Sequence, residues 1–537
     1  MDSVLILGAG LMQGPAISSA KELGYKAYVV DADENAVCVK NADVFKKIDL
    51  KAKEEIAIYA KTIPSLKAVF TAGTDFSASV SYVSEALGLA SHSFEAACNA
   101  SNKILMRGCF SKAGVPSPKF LKVSKDDFSV SCDAVKEVKV PFDFPFVVKP
   151  CDNMGGRGCR MVRSEEEYLP ALISGVNNSR SGTAIVEEYM DGPEYSIDAL
   201  IYNGTFTVTG FAVRHIKYPP YFIEVGHTMP AVLSQKEHDE LISVFALGAK
   251  ALGLSSGAAK ADIKYTKNGP MVGEIAGRLS GGYMSGWTFP YASDLNLTKQ
   301  GLLIASGKEP SDLVNRRKPV IFNPGPQCQG AEKPYELFEI PCTKTSAERA
   351  WISIPGTVEE VNLPSKKEYV EDFLPRATVS LGGNVDFPRN NVQKCGNVIT
   401  RAQNRDDAVN AAETTISHIF IRLKKNDPAT EKFLAGAFEK DEENFPPWAF
   451  PVAESDLEKI SGKIGENESF EKALPDILKT SEYKILTDWN YLTIEKALKK
   501  VDEIIPEHKS CDKKEFFRAF LRGSVQLSVY FMDSLGK

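Results

Sequence analysis

Two runs in the middle of the chain, "AAKADIKYT" and "PMVGEIAGR", meet at Lys267, Asn268 and Gly269, and this junction constrains the fold more than any other stretch. Both runs alternate small or apolar residues with polar ones, the period of a strand buried on one face. A three-residue loop with Gly269 left-handed predicts that Thr266 pairs with Pro270. Counting outward, Asp262 falls opposite Glu274 and Lys260 opposite Ala276, with Ala276 and Arg278 on the same sheet face as Glu274. Directly opposed side chains have β-carbons roughly 5 Å apart. Two carboxylates that close repel unless something positive lies between them. A magnesium ion on nucleotide phosphates meets that need, because it takes one or two carboxylates and completes its octahedron with phosphate and water oxygens. A charged surface lattice of Asp262 with Lys264 is the plain alternative.

The chain around this hairpin is long enough for several cores: 537 residues give a soft expectation of three or four units. "VLILGAG" is a buried parallel-type strand running into a glycine turn, followed by the helical "GPAISSAKELGYK" and the strand "AYVVDAD". Gly8, Gly10 and Gly14 are spaced GxGxxxG rather than GxGxxG. A Rossmann-like scaffold with a tight turn is therefore expected ahead of a nicotinamide site with Asp31 capping a ribose. The α/β rhythm runs to about residue 100. From "SNKILMRGCFSKAGVPSPKF" onward, strands are separated by Gly- and Pro-rich loops. Residues 309–425 read as a smaller α+β unit with strand candidates "ERAWISIPGTVEEV" and "GNVITRA" and the helix "RDDAVNAAETTISHIFIRL". Residues 426–537 read as a linker, "KDEENFPPWAFP", and amphipathic helices "TIEKALKKVDEII" and "KKEFFRAFLRGSVQLSVYFMDSL" packed as a small bundle.

Composition narrows the partners. A formal charge of -6 with both signs mixed and no sustained Lys/Arg block disfavours a nucleic-acid binder and leaves small molecules. The N-terminal apolar run is short and lacks a basic region before it, and no stretch approaches a membrane span, so no signal peptide and no membrane anchor are expected. Ten cysteines without CxxC spacing argue against a zinc site or a disulfide framework. The expected compartment is the cytoplasm, and a symmetric dimer is the base-rate assembly.

Further chemistry sits upstream of the hairpin. In "FPFVVKPCDNMGGRGCRMV" a hydrophobic strand carries Lys149 near its end, before a loop with Gly155, Gly156, Arg157 and Gly158. Glycines let backbone N–H groups approach an anion and the lysine adds a point charge, which suits a polyphosphate; a flexible hairpin is the alternative. In "AIVEEYMDGPEYSIDALIYNG" an extended connector exposes backbone groups that an adenine edge needs, and Glu194 can accept from ribose hydroxyls. Arg214 and His227, around the "RHIKYPPYF" segment, are candidate substrate contacts, although a lone histidine by a Pro-Ala turn is more often structural. "RLSGG" offers Ser280 and the Gly281 backbone beside Arg278 for a carboxylate or phosphate, or simply a tight turn. Cys151 and Cys159 flank the glycine loop with nothing beside them to activate a thiol.

Taken in order, these segments resemble the ATP-grasp superfamily: Lys103 in "NKILMR", Lys149 in "FVVKP", the flap "GGRG", the hinge "VEEYMDGPE", then Asp262, Glu274 and Arg278. The resemblance spans roughly residues 1–425. It implies an α/β and α+β multidomain architecture: a Rossmann-like pre-ATP-grasp domain over 1–100, a two-lobed ATP-grasp core over 101–308 with a lid about 118–190, a closing α+β domain over 309–425, and a helical tail. It implies that Lys103 and Lys149 hold the α- and β-phosphates under a lid of Gly155, Gly156, Arg157 and Gly158. Glu187, Glu188 and Met190 line the adenine site, the last two through their backbone, and Glu194 binds the ribose. Asp262 and Glu274 bind magnesium, with manganese as the alternative ion, and Arg278 stabilises the transferring phosphoryl group or acyl phosphate.

The implied activity is an ATP-dependent ligase that phosphorylates a small carboxylate, an amino acid among the candidates, and joins it to an amine. Bicarbonate as the phosphorylated acid, in a carboxylase or carbamoyl-phosphate-type enzyme, is the second reading. A nucleotide-binding regulatory protein with a decayed site is the third. The third is motivated by Ala276, where similar proteins usually carry a metal-ligating asparagine; Lys260, opposite it, is a candidate to supply the missing charge.

Overall fold

The computed structural model describes residues 1–127, 139–436 and 445–535, so the expected linker "KDEENFPPWAFP" lies partly outside the described residues. Backbone contacts divide the chain into two compact units. The first contains 1–216, 226–347 and 401–405, and the second contains 217–225, 348–400 and the chain from 406 onward.

The first unit opens with a parallel sheet of β1 (Ser3–Leu7), β2 (Lys26–Asp31), β3 (Val44–Lys47) and β4 (Leu66–Phe70), ordered β3-β2-β1-β4. The helices α1 (Gly14–Glu22), α2 (Lys53–Ala60) and α3 (Ser77–Ala86) follow its strands. All five residues of β1 are buried, as its apolar run requires. The turn after β1 is closed from within. The Asp31 carboxylate accepts from the Ala9 N–H at 2.7 Å and the Asp33 N–H at 2.9 Å. The Gln13 side chain lies 2.9 Å from where a β-carbon on Gly8 would stand, and it donates to the Ala72 carbonyl at 2.5 Å. Asp31 is therefore spent on its own loop, which fits the scaffold reading of this segment.

Two helices, α4 (Phe94–Ser101) and α5 (Lys103–Ala113), lead into an antiparallel sheet of β5 (Phe120–Ser124), β6 (Phe146–Pro150), β7 (Arg160–Val162) and β8 (Thr183–Glu188), in the order β5-β8-β6-β7. Helix α6 (Glu165–Asn177) covers it, burying Tyr168 and Leu172 against Phe146 and Val148. A second antiparallel sheet follows: β9 (Glu194–Tyr202), β10 (Thr205–Lys217), β11 (Ile223–Met229), β12 (Gly257–Thr266) and β13 (Gly269–Ala276), running β13-β12-β9-β10-β11. Helix α7 (Gln235–Ala251), started by a Ser234–Glu237 capping box, packs Phe245 and Ala249 against Ile197, Val272 and Ile275.

The hairpin of β12 and β13 corrects one expectation. The turn has two residues, with Thr266 paired to Gly269, not to Pro270. An irregularity follows, because Ile263 pairs with Val272 while Asp262 pairs with Glu274, leaving Gly273 as the extra residue of a β-bulge. The one-residue shorter turn and the one-residue bulge cancel. Asp262 and Glu274 are opposed, as are Lys260 and Ala276.

In the second unit, Gly356–Asn362 pairs antiparallel with Phe420–Leu423, and Val370–Pro375 pairs with Gly396–Thr400. The helices Ile494–Ile504 and Lys513–Ser534 pack together. The stretch expected as one continuous C-terminal helix is kinked at Gly523 and Ser524. There the Ser524 hydroxyl donates to the buried Asp488 carboxylate at 2.6 Å. Among the described residues no helix is long and apolar enough to cross a membrane.

Candidate active site

Cross-strand register gathers the polar residues of the second sheet on one face. Asp198 pairs with Lys260, Ser196 with Asp262, and Glu194 with both Lys264 and Arg214. Alternate residues along each strand share a face, so Glu194, Ser196 and Asp198 stand beside Lys260, Asp262 and Lys264. Asp262 is enclosed by protein donors. The Ser196 hydroxyl donates to Oδ1 at 2.8 Å, and Oδ2 takes the Lys260 ammonium together with Arg214 Nη1 at 3.0 Å. Burial pushes this carboxyl up, but Arg214 and Lys260 outweigh it and hold it below the usual aspartate value. Arg214 also contacts Glu194 Oε1, at 2.5 Å.

Glu274 is differently placed. Its side chain is 33% exposed, and it pairs with the Lys103 ammonium at 3.7 Å. Burial raises its pKa, but Lys103, Lys260, Lys149 and Arg278 more than reverse that and hold it down at about 2. It is a carboxylate at the focus of four cations. Lys103 itself is pulled down by burial, yet Glu274, Asp75 and Glu187 hold it above the ordinary lysine value. Its position is fixed by the Asn102 cap of α5 and by donation to the Asn153 carbonyl at 3.0 Å.

A second knot lies beneath. Glu187, at the end of β8, accepts from Lys149 at 2.6 Å and from Arg107 Nε and Nη2 at 2.9 and 2.8 Å. Arg107, one turn after Lys103 on α5 and fully buried, also donates to the carbonyl of the bulge residue Gly273 at 2.6 Å. Burial opposes ionisation of Glu187, and Arg107 and Lys149 overcome it, so the carboxylate stays charged.

The loop and connector show why they need glycine. Gly155, Gly156 and Gly158 all have φ between 66° and 75°. A β-carbon on Gly158 would also stand 2.7 Å from that of Asn178. Gly192, at φ 136°, packs its α-carbon against the Tyr265 backbone, where no side chain fits. Beside it the Met190 carbonyl accepts from Lys264 at 3.0 Å, and Glu188 lies on the Lys119 N–H at 3.4 Å. Arg157 reaches the Met154 carbonyl at 3.3 Å.

Residues 142–286, which contain all but a few of these groups, match the family model described as the ATP-grasp domain. Over these residues the chain carries an ATP-grasp domain. Alanine–anticapsin ligase of Bacillus subtilis is 27% identical over 240 residues, 40% of this chain and 48% of that protein. Protein y4rH of Sinorhizobium fredii is 30% identical over 193 residues, 35% of this chain and 38% of its own. The chain thus spans less than half the length of these curated relatives. An L-amino acid ligase structure from Bacillus licheniformis superposes with a TM-score of 0.64 at 16% identity, covering 79% of this chain and 99% of that one. That likeness is one of fold.

Ion pairs join Lys103 to Glu274, Lys149 to Glu187, and Arg214 to both Glu194 and Asp262, with Lys149, Lys260 and Arg278 also in electrostatic reach of Glu274. His227 is fully buried on β11. Ser280 turns its hydroxyl and its N–H onto Asp198, at 2.7 and 3.0 Å, and Gly281 packs against the Gly73 backbone. The Cys159 thiol is pushed up to about 11 by burial, which keeps it inert. Arg107, Ser196 and Asp198 are the groups that sequence reasoning missed.

Among the described residues no group of three or more His, Cys, Asp or Glu side chains could hold a metal ion. Glu274 is the carboxylate open to a magnesium ion that draws its other ligands from phosphate and water, while Asp262 beside it is taken up by Ser196, Lys260 and Arg214.

Proposed function

We propose that this chain is an ADP-forming ligase that phosphorylates a small carboxylate to an acyl phosphate and passes the acyl group to an amine. The observation that carries the reading is Glu274, open and ionised, facing Asp262 across the hairpin and ringed by Lys103, Lys149, Lys260 and Arg278. Such a ring suits a reaction in which a carboxylate must approach the γ-phosphate, because both partners are anions and the barrier is largely electrostatic.

In this reading Lys103 and Lys149 hold the α- and β-phosphates, and Glu187 orients Lys149. The backbone of Gly155 to Gly158 with Arg157 closes over the phosphates. Glu188 and Met190 present backbone groups to the adenine, and Glu194 takes the ribose. Magnesium, or manganese in its place, would be held by Glu274 with Asp262 beside it, and supplies charge neutralisation at the phosphates. A carboxylate oxygen attacks the γ-phosphorus as the bond to the β-phosphate oxygen breaks, with Arg278 stabilising the transferring group. The amine nitrogen then attacks the acyl carbon, inorganic phosphate leaves, and the nitrogen gives up a proton. The lid keeps water from the acyl phosphate meanwhile.

Similarity to proteins named alanine–anticapsin ligase and L-amino acid ligase supports an amino acid as the carboxylate. The substrates are small molecules. We place the reaction in the cytoplasm, with a symmetric dimer as the assembly.

The test is release of ADP and phosphate from magnesium-ATP with amino acids and other small carboxylates supplied singly and in pairs, for the wild type and Glu274→Gln. Release that requires one carboxylate and one amine, and that falls at least a hundredfold in Glu274→Gln, is the expected result. Release with bicarbonate alone would move the chain to the carboxylase reading. ATP binding without substrate-dependent release would favour the regulatory one.

A further inference from the structure

Lys260 and Ala276 face one another across the hairpin, and together they change what the carboxylate pair can hold. A carboxylate offers about four lone-pair directions. Three of those on Asp262 are engaged by Ser196, Arg214 and Lys260. Asp262 and Lys260 are both buried, so neither can trade these contacts for water. An ion binding Asp262 has to displace one of the donors and then stand close to an ammonium and a guanidinium. Like charges at that separation repel strongly where the dielectric is low.

Ala276 offers no ligand in compensation. Glu274, by contrast, is a third exposed and has its Lys103 partner at 3.7 Å, beyond a tight ion pair. Its oxygens are free to take a cation at ordinary metal–oxygen distance.

We infer that the Lys260 ammonium takes the place of a second divalent cation, so that the site works with one magnesium ion, carried by Glu274, and a fixed protein charge on Asp262. The inference rests on the ATP reading above. It turns the loss of a metal ligand at position 276 into half of an exchange, in which the neighbouring strand supplies the positive charge from the position directly opposite.

The experiment counts ions without turnover. Full-length protein saturated with a non-hydrolysable ATP analogue is titrated with Mn2+, and the electron paramagnetic resonance signal of the free ion gives the number bound per chain. One ion is expected for the wild type and for Ala276→Asn, and two for Lys260→Ala combined with Ala276→Asn. Two ions on the wild type, or two on Ala276→Asn with Lys260 in place, overturn the inference while leaving the ATP reading standing. A count that stays at one in the double variant, with the analogue bound, overturns it as well. If the double variant does not fold, the wild-type and single-variant counts decide alone. No analogue-dependent ion on the wild type removes the ATP reading and this inference together.

Discussion

Arg107 is the residue whose removal tests the site's framework most directly. Arg107→Met keeps most of the stem and deletes the guanidinium, which makes three contacts: Nε and Nη2 to Glu187 at 2.9 and 2.8 Å, and Nη2 to the Gly273 carbonyl at 2.6 Å. Removing one partner of a buried ion pair costs roughly 3–5 kcal/mol, because the other charge is left uncompensated. Lys149 remains 2.6 Å from Glu187, which puts the electrostatic loss near the lower end. The stranded Gly273 carbonyl adds about 1 kcal/mol. The expected total is therefore ~4 kcal/mol. In Arg107→Met/Glu187→Met both charges are gone and apolar groups fill the space, a replacement that is often neutral. Lys149, partly exposed, can turn to water. The double variant should recover about 2–3 kcal/mol relative to the single one, within the range measured for coupled neighbours.

The two compact units need not unfold together, so a single global midpoint is the wrong observable. Hydrogen–deuterium exchange resolved to peptides from β8, β13 and α5 reads the local free energy instead. Peptides of the second unit serve as the internal reference. A loss under about 1 kcal/mol in Arg107→Met, or a double variant as unstable as the single one, would refute the reasoning, since the pair would then not be holding the bulge.

Three further outcomes follow from the same geometry. Asp198 is fully buried and its carboxyl is pushed up to about 6 by desolvation, only partly offset by Ser280, Lys260 and Arg278, so ionising it opposes folding. That penalty is absent below its unfolded value near 4 and complete above about 6. Asp198→Asn should therefore gain on the wild type by about 2 kcal/mol between pH 4.5 and 7, read as local free energies from hydrogen–deuterium exchange in β9 peptides. Gly192→Ala puts a β-carbon into the Tyr265 carbonyl at a φ that L residues avoid; a loss of about 2–3 kcal/mol, seen as faster exchange in β9 and β12, is expected. Gly158→Ala strains the loop against Asn178 and the Ser174 carbonyl of α6, so analogue affinity should fall about tenfold while exchange in β12 and β13 stays unchanged.

The hairpin shows both the reach and the limit of reading the chain as a string. Period two and a turn at Lys267–Gly269 were enough to oppose Asp262 and Glu274, although the turn expected there was one residue too long. A local signal for the bulge was present. Val272 and Ile275, both in the core, lie three apart with Gly273 between them, where a regular strand needs an even spacing. Asp198 also left a trace, since Ser196 and Asp198 interrupt "YSIDALIY" at alternate positions and so mark a polar face in an otherwise buried strand. Arg107 left none. Its partners, Glu187 and Gly273, are 80 and 166 residues away, and only the packing of α5 brings them together.

That packing joins parts of the site which the sequence presents as independent motifs. Lys149 on β6 is held by Glu187 on β8, Glu187 by Arg107 on α5, and Arg107 holds the carbonyl of the bulge that sets Glu274 opposite Asp262. A register slip of one residue in β13 would send Glu274 to the other face of the sheet, so the bulge has to be fixed, and a charged donor buried on its carbonyl fixes it. The same guanidinium keeps Glu187 ionised, and hence able to orient Lys149. The proposed phosphate-binding lysine and the proposed metal-binding glutamate are thus positioned through one side chain that itself touches neither.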